Sequence, residues 1–203
     1  MKMKYRNIVF DMGNVLIGFD PVRVVRRYTS DPDMIREIRN VLFSSGEWIM
    51  LDAGLMSEKE AMERILPRFR TEEQREIAIK SFEHWHEYNM WPGEGMAELI
   101  RDLKARGQHV YILSNASMRL PECYRNVIPE WQLFEGVMFS AEEKCLKPQA
   151  LIYERFFEKF GLKPEECFFI DDLRMNIEGA AACGMDGYVF DGNVEKLRRI
   201  LEL

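Results

Sequence analysis

Five polar residues in this sequence have the side-chain types that a hydrolytic site needs. They are Asp11, Ser114, Lys147, Asp171 and Asp172. A carboxylate can attack an electrophile or bind a metal ion, a serine hydroxyl can donate a hydrogen bond, and a lysine can neutralise an anion. Any one of them alone could simply end a strand or cap a helix. Together, and in this order along the chain, they could form one catalytic centre.

Short apolar runs predict the strands that would position these residues. Runs at 7–10, 109–113 and 167–170 each end at one of the polar positions, and shorter runs follow at 137–139 and 188–190. Apolar runs of this length, bounded by turn-forming residues, are typical of buried strands. We therefore expect Asp11, Ser114 and Asp171 to lie at the carboxyl ends of strands.

Helices alternate with the strands in the second half of the chain. The predicted helices are 96–106, 119–126, 148–160, 176–183 and 194–201. This alternation implies right-handed crossovers and a parallel sheet covered on both faces. The sequence therefore predicts a doubly wound, Rossmann-like α/β core. Ligands bind at the carboxyl ends of the strands in such sheets, which is where the polar residues fall.

The segment 18–90 has a different pattern, because it contains no comparable strand run. Ile35 and Ile38 illustrate its apolar residues at helical spacing, and Ser57 and Thr71 each have a capping partner three residues on. We interpret it as an inserted α-helical cap. The predicted division is a catalytic core of residues 1–17 and 91–203 and a helical cap of residues 18–90.

Composition restricts the class of partner. Apolar residues make up 47% of the 203-residue chain, which is enough to bury a sizeable core. The formal net charge of -6 provides no electrostatic footprint for nucleic acid or for an anionic membrane surface. We therefore expect a small-molecule partner and neither of these; the oligomeric state is left open.

The cysteines and the first residues of the sequence predict the cellular compartment of the protein. The cysteines at 123, 145, 167 and 183 form no C-x-x-C pair and are expected to be reduced thiols. Residues 1–10 show neither a signal peptide nor a membrane span. We expect a cytoplasmic protein.

The motifs resemble the signature of the haloacid dehalogenase superfamily, whose hydrolases mostly act on phosphate esters. The resemblance is carried by residues 8–15 (IVFDMGNV), residues 112–115 (ILSN), Lys147-Pro148, and residues 168–172 (FFIDD) followed by Asn176. It covers nearly the whole chain. The first motif and the short helical cap resemble those of sugar 1-phosphate phosphatases.

The resemblance implies a magnesium-dependent phosphatase. One oxygen of Asp11 would attack phosphorus and the other would bind Mg²⁺, giving an aspartyl-phosphate that water hydrolyses. The Gly13 carbonyl and Asp172 would complete the metal site, with Asp171 bound directly or through water. Ser114 and Lys147 would hold the phosphoryl oxygens.

Three supporting residues follow from the same resemblance. Asn14 and Asn115, with Gly13, are expected to contact the substrate, which would be a small phosphorylated metabolite. Asn176 is expected to orient a metal-bound water or Lys147.

Position 13 departs from the commoner family pattern, in which a second aspartate protonates the leaving group. Gly13 has no side chain, and general acid–base help is typically worth about 10²- to 10⁴-fold in rate. The substrate could have an activated leaving group, as in a hexose 1-phosphate, which is the explanation we favour. Alternatively, Asp20, Glu47 or Asp52 supplies the proton, or turnover is low.

Two other functions remain open at this stage. A metal-independent 2-haloacid dehalogenase uses the same kind of aspartate nucleophile. Asp171 and Asp172 argue against this function, because two carboxylates beside Asp11 would repel one another and Asp11 unless a cation lay among them. A catalytically weak, metabolite-binding regulatory protein would also keep these motifs. Trp48 could stack on a substrate, but packing is its expected role.

Overall fold

A computed structural model describes residues 5–203. Residues 1–4, which the predicted core includes and in which no leader or span was expected, lie outside the described residues. The strands are β1 (Asn7–Phe10), β2 (Ile17–Phe19), β3 (Met90–Pro92), β4 (His109–Ser114), β5 (Gly136–Phe139), β6 (Cys167–Asp171) and β7 (Asp186–Val189). Five of them form one sheet in the order β5-β4-β1-β6-β7, and every neighbouring pair is parallel.

The central strand β1 is buried on both faces. Ile8 and Phe10 belong to one apolar cluster, whereas Val9 belongs to a second cluster on the other face. This follows from the alternation of side chains along a strand. A strand covered on both sides contains a continuous apolar run, which is why residues 7–10 were recognisable in the sequence.

Helices cover both faces of the sheet. The helices are α1 (Pro32–Ile38), α2 (Gly46–Asp52), α3 (Glu58–Ile65), α4 (Glu72–Tyr88), α5 (Met96–Ala105), α6 (Leu120–Cys123), α7 (Ser140–Glu143), α8 (Ala150–Phe160), α9 (Arg174–Ala182) and α10 (Val194–Ile200). Leu99 of α5 and Leu197 of α10 pack in the Ile8 cluster, and Phe156 of α8 and Ala180 of α9 pack in the Val9 cluster. The predicted doubly wound α/β fold is confirmed.

The residues between β2 and β3, which we call the helical segment, contain α1 to α4. A π-helical turn, Arg39–Phe43, continues α1. Ser57 accepts a hydrogen bond from the Glu60 backbone N–H (3.2 Å), and Thr71 forms a capping box with Gln74, as the sequence predicted.

The sequence did not predict the small sheet that joins the two ends of the helical segment. Strands β2 and β3 pair antiparallel, with Ile17 opposite Pro92 and Phe19 opposite Met90. Each strand has three residues, which is too short to show a periodic pattern. The predicted boundaries at 17/18 and 90/91 fall inside this pair of strands.

Several predicted element boundaries were wrong by one to three residues. The helix expected to open at Pro148 begins at Ala150, with Gln149 in the N-cap position. The last strand ends at Val189 and not at Phe190. Among the described residues, all four cysteines are free, and none of the helices is long and apolar enough to cross a membrane.

Candidate active site

The carboxyl ends of three adjacent strands bring the predicted carboxylates together. Phe10, the last residue of β1, lies opposite Ile112 of β4 and Ile170 of β6. Asp11 therefore emerges between Ser114 and the Asp171–Asp172 pair. Carboxylate oxygens of Asp11, Asp171 and Asp172 lie within 4.8 Å of one another. The parallel register alone accounts for this convergence.

Lys147 places a buried positive charge among these carboxylates. Its side chain is only 1% exposed, and its Nζ donates hydrogen bonds to Asp11 Oδ1 and Asp171 Oδ2, both at 2.7 Å. A third hydrogen bond goes to the Leu113 carbonyl oxygen at 3.0 Å. All three donors of the ammonium group are satisfied, so its position is fixed.

Asn115 holds the backbone of Lys147. Its side-chain amide donates to the Lys147 carbonyl oxygen (3.0 Å), and its Oδ1 accepts from the Lys147 backbone N–H (2.8 Å). Asn115 was expected to bind substrate. It does line the site cavity, but both ends of its amide are engaged in joining the end of β4 to the lysine loop.

Asp171 is saturated with hydrogen bonds. Its Oδ1 accepts from the Leu173 backbone N–H (2.8 Å) and from Asn176 Nδ2 (3.0 Å), and its Oδ2 accepts from Asn176 Nδ2 (3.0 Å) and from Lys147. Asn176 was expected to orient Lys147 or a water molecule. Asn176 is connected to Lys147 only through Asp171. Asn176 and Asp171 are therefore both positioning residues for the lysine.

Asp172 is more accessible than Asp171. It is half-buried and lines the cavity, and its Oδ2 accepts a hydrogen bond from Asn14 Nδ2 at 3.1 Å. Asn14, with a backbone φ of 56°, was expected to contact substrate. The structure pairs it with Asp172 at the rim of the same cavity.

The charges of the site favour a cation. The pKa of Asp11 is raised to about 6, mainly by burial; Lys147 opposes the shift and the nearby Asp171 adds to it. Burial also raises the pKa of Asp172. Burial would lower the pKa of Lys147, but the carboxylates of Asp11 and Asp171 outweigh that effect and raise it. Three carboxylates with one ammonium leave two net negative charges, which a divalent cation would balance.

The donor set also fits a hard cation. Asp11 and Asp172 present carboxylate oxygens to the cavity, and Gly13 lies beside them with its backbone carbonyl. Mg²⁺ is bound in proteins by one or two carboxylates together with waters and substrate phosphates. The residues present therefore fit a magnesium ion.

These residues line a cavity of about 290 Å³. The same cavity is also lined by six apolar side chains, which we call the apolar wall: Ile17, Phe19, Trp48, Trp85, Met90 and Leu120. The Trp48 and Trp85 rings meet edge to face with centroids 5.3 Å apart. Sequence reasoning assigned Trp48 to packing and did not single out Trp85 as part of a site, because only the three-dimensional arrangement of the helices turns both toward Asp11.

Of the three carboxylates proposed to replace the missing second aspartate, one lines this cavity. Asp52, at the end of α2, lines it. Asp20 instead pairs with Arg26 at 3.1 Å, and Glu47 pairs with Arg68. A Cβ added to Gly13 would meet nothing within 4 Å, so the space beside Asp11 is open. A larger surface depression of about 1000 Å³, bordered by Glu94, Asp102 and Asp191, contains none of the motif residues.

Comparison with known proteins agrees with this geometry. The sequence pattern of the haloacid dehalogenase-like hydrolases matches residues 5–184. A sesquiterpene phosphatase of Aspergillus oryzae is 26% identical over 188 residues, which are 90% of this chain and 88% of that protein. A phosphatase of Mycobacterium tuberculosis is 26% identical over 202 residues, covering 93% of this chain and 88% of that protein.

Solved structures show the same fold. A haloacid dehalogenase (HAD) family enzyme of Bacteroides thetaiotaomicron, crystallised with magnesium and inorganic phosphate, superposes with a TM-score of 0.71 at 23% identity. The match covers 93% of this chain and 96% of that one. With the family pattern spanning most of the chain and the strand ends carrying its motif residues, this protein belongs to the haloacid dehalogenase-like hydrolases.

Proposed function

We propose that this hydrolase is a magnesium-dependent phosphate-monoester phosphatase that forms an aspartyl-phosphate on Asp11. The observation that carries the proposal is the grouping of Asp11, Asp172 and Lys147 around one cavity with a net negative charge. A phosphatase of related sequence and a magnesium–phosphate complex of the same fold support it.

The proposed metal site consists of Asp11, the Gly13 carbonyl and Asp172. Bound there, Mg²⁺ would neutralise negative charge on the phosphoryl group. Asp171 is not part of this proposal as a direct ligand, because its two oxygens already accept hydrogen bonds from Lys147, Asn176 and the Leu173 backbone.

The chain's own residues would perform the displacement. The Asp11 carboxylate oxygen that is not hydrogen-bonded to Lys147 attacks phosphorus, and the ester oxygen departs with the alcohol. Lys147, whose raised pKa keeps it protonated, stabilises charge at Asp11 and on the phosphoryl oxygens. Ser114, at the end of β4 and lining the cavity, donates a hydrogen bond to a phosphoryl oxygen. Water then hydrolyses the aspartyl-phosphate.

The helical segment would select the alcohol. We propose the division into a core of residues 1–17 and 91–203 and a cap of residues 18–90, with the cap supplying Trp48, Trp85 and Asp52 to the cavity. A volume of about 290 Å³ suits a small phosphorylated metabolite, since small-molecule pockets begin at roughly 300 Å³.

Two classes of leaving group are candidates. The first motif favours a sugar, such as a hexose 1-phosphate, and sugar rings can stack on indoles such as Trp48. The apolar wall favours an alcohol with a large apolar surface, because its side chains offer few partners for several hydroxyl groups. The name of the Aspergillus relative, a sesquiterpene phosphatase, supports this second class.

The test is phosphate release from a panel of esters with Mg²⁺ or with EDTA. The panel contains hexose 1-phosphate, hexose 6-phosphate, phenyl phosphate and a sesquiterpene alcohol monophosphate. We expect release that requires Mg²⁺ and is abolished in Asp11→Asn, whereas the matched Asp33→Asn, a carboxylate that is 80% exposed on α1, retains it. Chloride release from 2-chloropropionate without metal would establish the dehalogenase instead. Phosphate-ester binding without turnover would establish the regulatory protein.

A further inference from the structure

An ester oxygen that leaves as an alkoxide needs a proton, and the site described so far does not supply one. Asp11 is the proposed nucleophile and Asp172 a proposed metal ligand, while Gly13 has no side chain. Lys147 is buried and uses its three donors on Asp11, Asp171 and Leu113. Among the described residues that line the cavity, Asp52 is the remaining acidic group.

Asp52 belongs to the helical segment, but its backbone is hydrogen-bonded to a residue of the catalytic core. Ser140 Oγ donates a hydrogen bond to the Asp52 carbonyl oxygen at 2.5 Å. The same hydroxyl oxygen accepts a hydrogen bond from the Ala116 backbone N–H at 2.8 Å. Ala116 lies two residues beyond Ser114 and also lines the cavity. One serine therefore joins the end of α2 to the strand end that carries the phosphate-binding hydroxyl.

Close backbone packing beside Asp52 reinforces this attachment. Gly54 has a φ of +65°, and a Cβ on it would lie 2.1 Å from the Ala141 carbonyl oxygen. Only glycine permits this approach of the turn after α2 to the start of α7. These two contacts hold the backbone at the end of α2 against the core, on which Asp11 also lies.

The side chain of Asp52 is suited to exchange a proton near neutral pH. Burial raises its pKa to about 7, opposed by a hydrogen bond from the Ser117 backbone. The other charged residues that line the cavity are Asp11, Lys147 and Asp172, and Glu58 on α3 and Glu143 on α7 belong to helices that contact α2; none of these is a cause of the shift. A general acid works best when its pKa lies near the working pH.

We propose that Asp52 is a catalytic residue that protonates the leaving alcohol and then accepts a proton from the hydrolytic water. This inference rests on the proposed phosphatase function. In the first step the Asp11 oxygen bonds to phosphorus, the bond from phosphorus to the ester oxygen breaks, and the Asp52 proton moves to that oxygen. In the second step water bonds to phosphorus, its proton passes to the Asp52 carboxylate, and the bond to Asp11 breaks. Phosphate and alcohol are released, and Asp52 regains its proton.

The test compares Asp52→Asn with wild type on two substrates that differ in leaving-group basicity. With an alkyl phosphate, which needs a proton on its leaving group, kcat/KM should fall by about 10²-fold or more. With 4-nitrophenyl phosphate, whose leaving group departs as a stable anion, kcat/KM should change little, because it reports only the steps up to release of the alcohol. The alkaline decline of kcat/KM with the alkyl substrate should also disappear in the variant. Glu47→Gln, at a carboxylate of the same helix that does not line the cavity, is the matched control and should behave as wild type on both substrates.

A second variant separates a catalytic role from a structural one. Gly13→Asp would place a carboxyl in the open space beside Asp11, and in the Asp52→Asn background it should restore part of the alkyl-phosphate activity. Equal losses of kcat/KM on both substrates, or an unchanged alkaline decline of kcat/KM, would overturn the role of Asp52 while leaving the phosphatase proposal intact. Absence of turnover by the wild type on every ester would instead overturn the proposed function itself.

Discussion

The ammonium nitrogen of Lys147 lies 2.7 Å from Asp11 Oδ1 and also 2.7 Å from Asp171 Oδ2, so one lysine bridges the proposed nucleophile and a fully buried carboxylate. The arrangement gives the lysine two separable tasks. It offsets charge at the nucleophile, and it stabilises a carboxylate that has no access to water. Both tasks can be measured.

Replacing Lys147 by methionine should destabilise the fold as well as abolish activity. Removing one partner of a buried ion pair leaves an uncompensated charge, which typically costs about 3–5 kcal/mol in the free energy of unfolding. Urea unfolding of Lys147→Met measures this cost. Lys196→Met, which removes a half-exposed lysine paired with Asp191, should cost far less, because water screens an exposed pair. Equal costs for the two variants would contradict the bridging role.

Asp171→Asn and Asp172→Asn should affect magnesium differently. Asp172 faces the cavity, whereas Asp171 is saturated by Lys147, Asn176 and the Leu173 backbone. We expect Asp172→Asn to raise the Mg²⁺ concentration for half-maximal activity by about 10-fold or more, and Asp171→Asn mainly to lower kcat. Magnesium titrations of both variants measure the difference. The reverse order would assign the direct ligand to Asp171.

Asn115→Ala should lower kcat with little change in KM. Both ends of the Asn115 amide hold the Lys147 backbone, so its loss would misplace the lysine without removing a substrate contact. Loss of a residue that holds a site residue in place by hydrogen bonds typically costs about 10- to 100-fold in activity. Steady-state kinetics on phenyl phosphate measure kcat and KM separately. A rise in KM at constant kcat would instead support the original expectation that Asn115 binds substrate.

Trp48→Ala should lower the activity toward phosphate esters of apolar alcohols. The indole forms part of the apolar wall, and a lost apolar contact is worth about 1–3 kcal/mol in discrimination. Its value of kcat/KM should fall for the sesquiterpene phosphate and stay near the wild-type value for acetyl phosphate, which is too small to reach the wall. Because Trp48 also packs against Phe43 and Phe82, Trp48→Phe serves as the conservative control. Equal losses on both substrates would indicate a folding defect.

The stability that Asp52 contributes should be present at pH 4 and should fall as the pH rises to 7. An unfolded aspartate has a pKa near 3.9, whereas burial raises that of Asp52 to about 7. Between these values the folded state binds more protons than the unfolded state, so raising the pH destabilises it. Asp52→Asn should therefore be more stable than wild type by about 4 kcal/mol at pH 8 and about equal to it at pH 4. Thermal melts at both pH values measure the difference, and an equal gain at both would contradict it.

The sequence was sufficient to predict the sheet and the core side of the site, because both depend on local patterns. The run at residues 7–10 is continuous because β1 is covered on both faces, and the parallel register then places Asp11, Ser114 and Asp171 at one edge. Each of these residues has its position set by the strand that precedes it.

The cap side of the site could not be predicted in the same way. Asp20, Glu47 and Asp52 look alike in sequence, and only the attachment of α2 to Ser140 and the close approach at Gly54 distinguish the third. Trp85 is one of several aromatic residues on a long helix, and its direction depends on how α4 packs. These positions are fixed by contacts between residues far apart in the chain.

The pairing of β2 with β3 has an evolutionary consequence. Ile17 lies opposite Pro92 and Phe19 opposite Met90, so the chain leaves the catalytic sheet and returns to it at one place. An insertion whose two ends are hydrogen-bonded neighbours can be lengthened, shortened or exchanged without changing the strands that carry Asp11 and Ser114. The strand ends that carry Asp11 and Ser114 and the helical segment that lines the other part of the cavity are thus encoded in separate stretches of the gene, so the segment can diversify while the strand ends are conserved.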